Sequence, residues 1–221
     1  MARLFCYIIP IDDGAAPNPF RGMCSLAICK PAIRRVAKVG DWVAGLGSKR
    51  APSGDLSGRL VYAMKVERVL TLKQYDQEAP LEWPDRIPDF RSANSAERLG
   101  DCIYDYSSGE AVQRPGVHDG SNRKADLNGL NVLISWDYYY FGRAARLLPD
   151  SLRPIICRTQ GHRSNSNAPY LKPFEAWLRG LNLTPGQMYG SPDFELNWEA
   201  GSPHRRCVVR KPEAVRDAAC S

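Results

Sequence analysis

The stretch that most constrains the fold is residues 39–71, where two β-favouring runs follow a Gly40-Asp41 turn signal. The first run is Trp42-Val43-Ala44-Gly45-Leu46-Gly47. The second, from Gly58 to Thr71, alternates Leu60, Tyr62, Met64, Val66 and Arg68 with Val61, Ala63, Lys65, Glu67 and Val69. A period of two marks one long strand with one face mainly buried. Between the runs, Gly45, Gly47, Ser48, Lys49 and Arg50 gather small residues, a hydroxyl and cationic tips at one loop mouth. Small residues admit a close ligand, and the cations attract phosphate. A glycine-rich turn with solvated charges is the plainer reading, and the spacing is not that of a P-loop. The stretch reads as the middle of a small, strongly bent β-barrel with its function at the loop edge.

Met1–Pro10 reads as a first strand, its apolar part too short for a secretory signal. Asp12–Gly22 is a loop and Met23–Cys29 a second apolar segment. Pro31 then opens a short helix over 32–37 with Arg34, Arg35 and Lys38 on a basic face. Thr71 caps a helical turn reaching Tyr75. From 79 to 131, prolines and glycines dissolve the pattern into loops around one strand candidate, Cys102–Tyr106. Loops of that length are functional or mobile. Asn131–Trp136 is a strand, and Pro169–Leu181 the best helix, with Leu171, Phe174, Leu178 and Leu181 at helical spacing. The expected organisation is one α+β domain over 1–183 with a long loop-rich central insertion, then a basic irregular tail over 184–221.

The 221 residues, 43% hydrophobic and 24% charged, have the balance of a soluble globular protein. No apolar run approaches the ~20 residues of a membrane helix. Seven cysteines, an odd count without a framework, favour reduced thiols in the cytoplasm. A net charge of +6 points weakly to an anionic partner.

Asp12 follows the first strand, where it would act as a general base or contact a base edge; forming a turn is the commoner use. Cys24 and Cys29 would be a nucleophile or half a metal site, but no second ligand pair accompanies them, only the scattered His118, His162 and His204. No metal is therefore expected. A Cys29 thiol beside Lys30 at a helix start would ionise readily, although packing is the usual role of a buried cysteine. His162, in Gly161-His162-Arg163, is the best acid–base candidate, and Arg163 could hold phosphate or carboxylate. Five aromatics within Trp136–Phe141 cannot share one face of a strand. Tyr138 and Tyr140 are expected to face a ligand, with Trp136 and Phe141 packing.

Several pieces together resemble the nucleotide modification associated domain 2 family. They are Phe5-Cys6-Tyr7, Ala16-Pro17-Asn18-Pro19-Phe20, Cys24 and Cys29-Lys30-Pro31, Gly40-Asp41-Trp42, Gly47-Ser48-Lys49, Arg59–Met64, Leu99–Tyr104, Leu133-Ile134-Ser135, Tyr140-Phe141-Gly142 and Gly161-His162-Arg163. The resemblance spans about residues 3–182 and implies a bacterial or phage setting, hypermodified DNA bases, and nucleotide, DNA or other DNA-modification proteins as partners. The Gly-Asp turn with two strands and a short helix is also similar to PUA-like barrels of the EVE and ASCH types, which bind RNA or modified bases. The implied fold is α+β, a PUA-like bent mixed β-barrel flanked by short helices.

The resemblance alone adds Asp101 and Tyr104 to the candidates. The expected site is Asn18, Gly47, Ser48, Lys49, Arg59, Asp101, Tyr104, Tyr138, Tyr140 and Arg163 around the proton-moving His162 and Asp12, with no cofactor. The expected function is binding of a nucleobase or nucleotide in DNA base modification, with chemistry on a nucleotide or a flipped base. The alternative is a non-catalytic reader of modified DNA or RNA.

Overall fold

The structure is a computed structural model and describes residues 1–157 and 161–193. Strand β1 (Leu4–Ile9) is followed by β2 (Cys24–Leu26), helix α1 (Pro31–Arg34), β3 (Trp42–Gly47), β4 (Arg59–Lys65), β5 (Arg68–Thr71) and α2 (Leu72–Glu82). The insertion contributes α3 (Ser95–Arg98), the hairpin β6 (Tyr104–Asp105) and β7 (Val112–Gln113), and α4 (Arg123–Leu127). Then come β8 (Asn131–Ser135), β9 (Tyr138–Tyr140), β10 (Arg146–Leu147), β11 (His162–Arg163), α5 (Leu171–Gly180) and β12 (Gln187–Met188).

The larger sheet runs β11-β1-β3-β4-β9-β12, with β10 also on β4; β2-β8-β5 form a second sheet. The expected α+β class holds, but the barrel does not: the larger sheet is an open path ending in two-residue strands. The expected single long strand is also corrected. It breaks at Val66–Glu67, and β4 and β5 enter different sheets. The break is fixed by bonds from the Val66 and Glu67 amides to the carbonyls of Asp41 and Ile134, and by Glu67 Oε2 accepting from the Trp136 and Asp137 amides. Alternation survives such a corner, so periodicity alone could not reveal it.

Alternation sorts the larger sheet into two apolar faces. One carries Phe5, Tyr7, Ile9, Val43, Tyr62, Met64, Tyr138 and Tyr140, packed against Cys24, Leu26 and Leu133 of the second sheet. The other carries Leu4, Cys6, Trp42, Ala44, Ala63, Tyr139 and Phe141, covered by α5 and residues 148–157. The far side of the second sheet packs under α2 and the insertion through Val132, Ile134, Tyr75 and Ile103. Thr71 and Gln74 form a capping box that starts α2, which extends well past the expected turn.

The insertion is tied down by Arg86, 2% exposed. Its guanidinium donates to the carbonyls of Asn18, Phe20 and Met23 and to the side chains of Asn18 and Ser25. Arg34, expected on a solvated basic face, is instead fully buried and donates to the carbonyls of Ala27 and Asp126. Residue 129 is glycine because any Cβ there would collide with that guanidinium. Trp136, expected to pack, is half-exposed beside Trp83, 6.4 Å between ring centroids. The tail expected to be irregular from residue 184 adds β12 to the sheet, parallel to β9; residues 194–221 lie outside the described residues.

Candidate functional site

Strand register sets one row of residues across the inner face of the larger sheet: His162, Tyr7, Gly45, Tyr62, Tyr140 and Met188. Directly paired residues share a face. Gly45 keeps the row intact, since a Cβ there would lie 2.4 Å from both Ile9 Cδ1 and the Tyr62 ring. With that space open, the Tyr7 and Tyr62 hydroxyls meet at 2.9 Å.

Near one end, the row meets an acid. Tyr140 donates its hydroxyl to Asp12 Oδ2 at 2.7 Å, while the buried Oδ1 makes no hydrogen bond among the described residues. Asp12 is 5% exposed. Burial is the main force on its carboxyl and pushes its pKa up to about 7, against the Tyr140 hydroxyl, which favours the charged form. Burial also raises the hydroxyl pKa of Tyr7, Tyr62 and Tyr140, so all three stay neutral. Lys30 lies 4.4 Å from the Tyr7 ring centroid, and burial lowers its pKa to about 8. His162 packs its half-buried ring 5.7 Å from that of Phe5, and burial lowers its pKa.

Because β1 and β3 run parallel, the loops after them leave the same edge of the sheet. Asp12 follows β1 there, Ser48 and Lys49 follow β3, and Arg59 starts the antiparallel β4 beside them. Lys49 is exposed, Ser48 Oγ accepts from the Arg50 amide at 3.1 Å, and half-buried Arg59 reaches the Ala145 carbonyl at 3.3 Å. Gly45 and Gly47, expected in a loop mouth, belong to β3. A Cβ at Gly47 would meet Leu56, so its smallness admits the chain itself.

The remaining expected residues are engaged elsewhere. Asn18 donates to the Leu99 carbonyl at 2.9 Å and accepts from Arg86. Asp101 accepts from Ser25 at 2.6 Å and Tyr75 at 2.8 Å; burial raises its pKa against the nearby Arg86 charge. Tyr138 donates to the Pro19 carbonyl at 2.8 Å and Tyr104 to Asp126 at 3.1 Å. Arg163 turns to the opposite face from His162 and binds the Pro154 and Ile156 carbonyls and Ser166. Cys24 is fully buried against Met64 rather than beside Cys29.

Tyr140 and His162 thus share one row, with Asp12 bonded to Tyr140 and Lys30 over the Tyr7 ring; Tyr7, Tyr62 and Lys30 were not among the expected site residues. Tyr7 and Tyr62 lie at alternating positions of strands the sequence does reveal; only their register shows that they meet.

A family model described as nucleotide modification associated domain 2 matches residues 1–200 of the chain. No curated protein and no solved structure matches it.

Proposed function

Because the chain belongs to the nucleotide modification associated domain 2 family, we propose that it binds a nucleobase or nucleotide at the Asp12 end of the tyrosine row and acts chemically on it. The observation that carries this reading is Asp12, a buried carboxyl with one oxygen held by Tyr140 and the other unpartnered among the described residues. With its pKa near neutrality, it can give or take a proton at working pH, as acid–base catalysis requires. Its open oxygen suits a ring or exocyclic N–H of a base. His162 is the second proton-moving group, and Lys30 a cation over the same row. Lys49 and Arg59, at the shared strand edge, would take the phosphate. A likeness to PUA-like folds, which bind RNA or modified bases, would fit the same class of ligand.

The test is turnover of nucleotides and of single- and double-stranded DNA, followed by mass spectrometry of the nucleosides, with binding measured in parallel. His162→Ala should lose product while retaining affinity, and Asp12→Ala should lose product and also weaken binding, since it removes the acceptor for the base. Salt-dependent binding to long DNA without product in the wild type would instead make the chain a reader. Neither binding nor turnover with any nucleotide would overturn both.

A further inference from the structure

Beyond β12 the chain turns back across the Tyr140 end of the row. The Tyr189 amide donates to the Tyr140 carbonyl at 2.7 Å, and the Ser191 carbonyl accepts from the Arg143 amide at 3.0 Å. Gly142, at a φ of 52°, is required here, since any Cβ would strike the Ser191 carbonyl. The Arg143 guanidinium holds the Pro192 carbonyl at 3.3 Å. Pro192 in turn packs on Gly14, two residues after Asp12, in space that a side chain on Gly14 would fill. This path sets Asp193 near Asp12: after burial, the charges of Asp13 and then Asp193 push the Asp12 pKa up. Asp193 Oδ2 accepts the Ser53 amide at 3.4 Å, but its buried Oδ1 has no hydrogen bond among the described residues. Asp13 is already engaged, its Oδ1 accepting from the Ala15 amide at 3.0 Å. Two buried carboxylate oxygens, Oδ1 of Asp12 and Oδ1 of Asp193, thus stand open in one part of the molecule. Buried acceptors are rarely left without donors, and an empty one costs stability.

We propose that Asp193 is a second carboxylate of the Asp12 site, and that the two open oxygens take the two hydrogens of one exocyclic amino group, so that the site selects an amino-bearing base over its oxo counterpart. The inference rests on the reading of Asp12 as the base-binding acid and adds which group of the base it meets. An amino group on the ring, as on cytosine or adenine, brings two N–H donors to the two acceptors. An oxo group at the same ring position, as on uracil or hypoxanthine, turns lone pairs toward them instead, and acceptor against acceptor repels. An alkylammonium carries three donors, one more than the open oxygens can take. Tyr140 keeps Asp12 Oδ2 occupied, so Oδ1 is the oxygen left for the ligand. Lys49 and Arg59, at the shared strand edge, remain for the phosphate.

The test compares matched pairs in which an amino group is exchanged for an oxo group: deoxycytidine with deoxyuridine monophosphate, and deoxyadenosine with deoxyinosine monophosphate. Binding of each to the full chain is measured by calorimetry at neutral pH and fixed salt, then repeated with the same four bases placed singly in one oligonucleotide. The amino member of at least one pair should bind about tenfold tighter or more, as hydrogen bonds to charged groups do. Asp193→Asn should bring that ratio down towards one, because a carboxamide can turn its own N–H to an oxo group. Asp193→Ala should lower it too, by removing one acceptor. Circular dichroism checks that both variants are folded. Oxo members that bind the wild type as tightly as their amino partners overturn the inference while leaving Asp12 as a base-binding acid. A folded Asp193→Asn protein that keeps the wild-type ratio overturns it as well. If no probe binds, the reading of Asp12 falls and the inference falls with it.

Discussion

The Tyr140 hydroxyl donates to Asp12 across 128 residues of sequence at 2.7 Å. It is the side-chain hydrogen bond that holds this buried acid. Tyr140→Phe keeps the ring and removes the donor, so the carboxyl loses an interaction that favours its charged form. The expected outcome is a loss of about 1–3 kcal/mol in urea unfolding at neutral pH and a still higher Asp12 pKa by carboxyl NMR. An unchanged titration would break the link between the two residues.

Asp12 also makes stability depend on pH in a direction opposite to most carboxylates. Its folded pKa is raised by burial from 3.8 to about 7, so the folded chain binds more protons than the unfolded chain between those values. Its stabilising contribution is full below about pH 4 and is lost as pH rises through about 7. Asp12→Asn should remove this fall, leaving a flatter stability curve across that window by thermal denaturation at fixed ionic strength.

Gly45→Ala tests the packing of the tyrosine row. The added methyl would meet Ile9 and the Tyr62 ring at 2.4 Å, so side chains must move to admit it. A loss of about 1–3 kcal/mol is expected, with near-ultraviolet dichroism reporting displaced tyrosines. If the row is the binding face, nucleotide affinity falls in the same variant.

Arg86→Met removes a buried charge that ties Asn18, Phe20, Met23 and Ser25 to the insertion. The acceptors are left unpaired and the neighbouring Asp101 loses a compensating charge. A loss of about 3–5 kcal/mol is expected, read by denaturant unfolding. Arg86→Lys should recover only a part, because an ammonium cannot replace a planar fork that reaches several acceptors at once.

The sequence discloses most elements whose signal is local. The Thr71 cap, the strands at Leu4–Ile9 and Trp42–Gly47 and the amphipathic helix near Leu171 follow from periodicity and end signals. What it hides depends on meetings between distant segments. Arg34 reads as a surface charge, and nothing singles out Arg86, because their carbonyl acceptors are main-chain groups that no residue type announces. Asn18 and Asp101 read as ligand contacts, yet their partners lie in the interior. Asp12 and His162 could be named from residue type, but their row could not, since Tyr7 and Tyr62 meet only through the registers of β1, β3 and β4. His118 looked isolated because its partners, Cys29 and Asp126, lie 89 residues upstream and 8 downstream.

The position of β1 inside the larger sheet has a consequence for synthesis. Strand β1 has β3 on one side, but its other side is completed only when His162 and Arg163 arrive opposite Tyr7 and Cys6, more than 150 residues later in the chain. Asn167 then caps the Leu4 carbonyl. A nascent or clipped chain that ends short of this segment would carry an uncovered strand edge, open to pairing with another polypeptide. A chain cut between β10 and His162 would therefore be a sticky fragment rather than a smaller working domain.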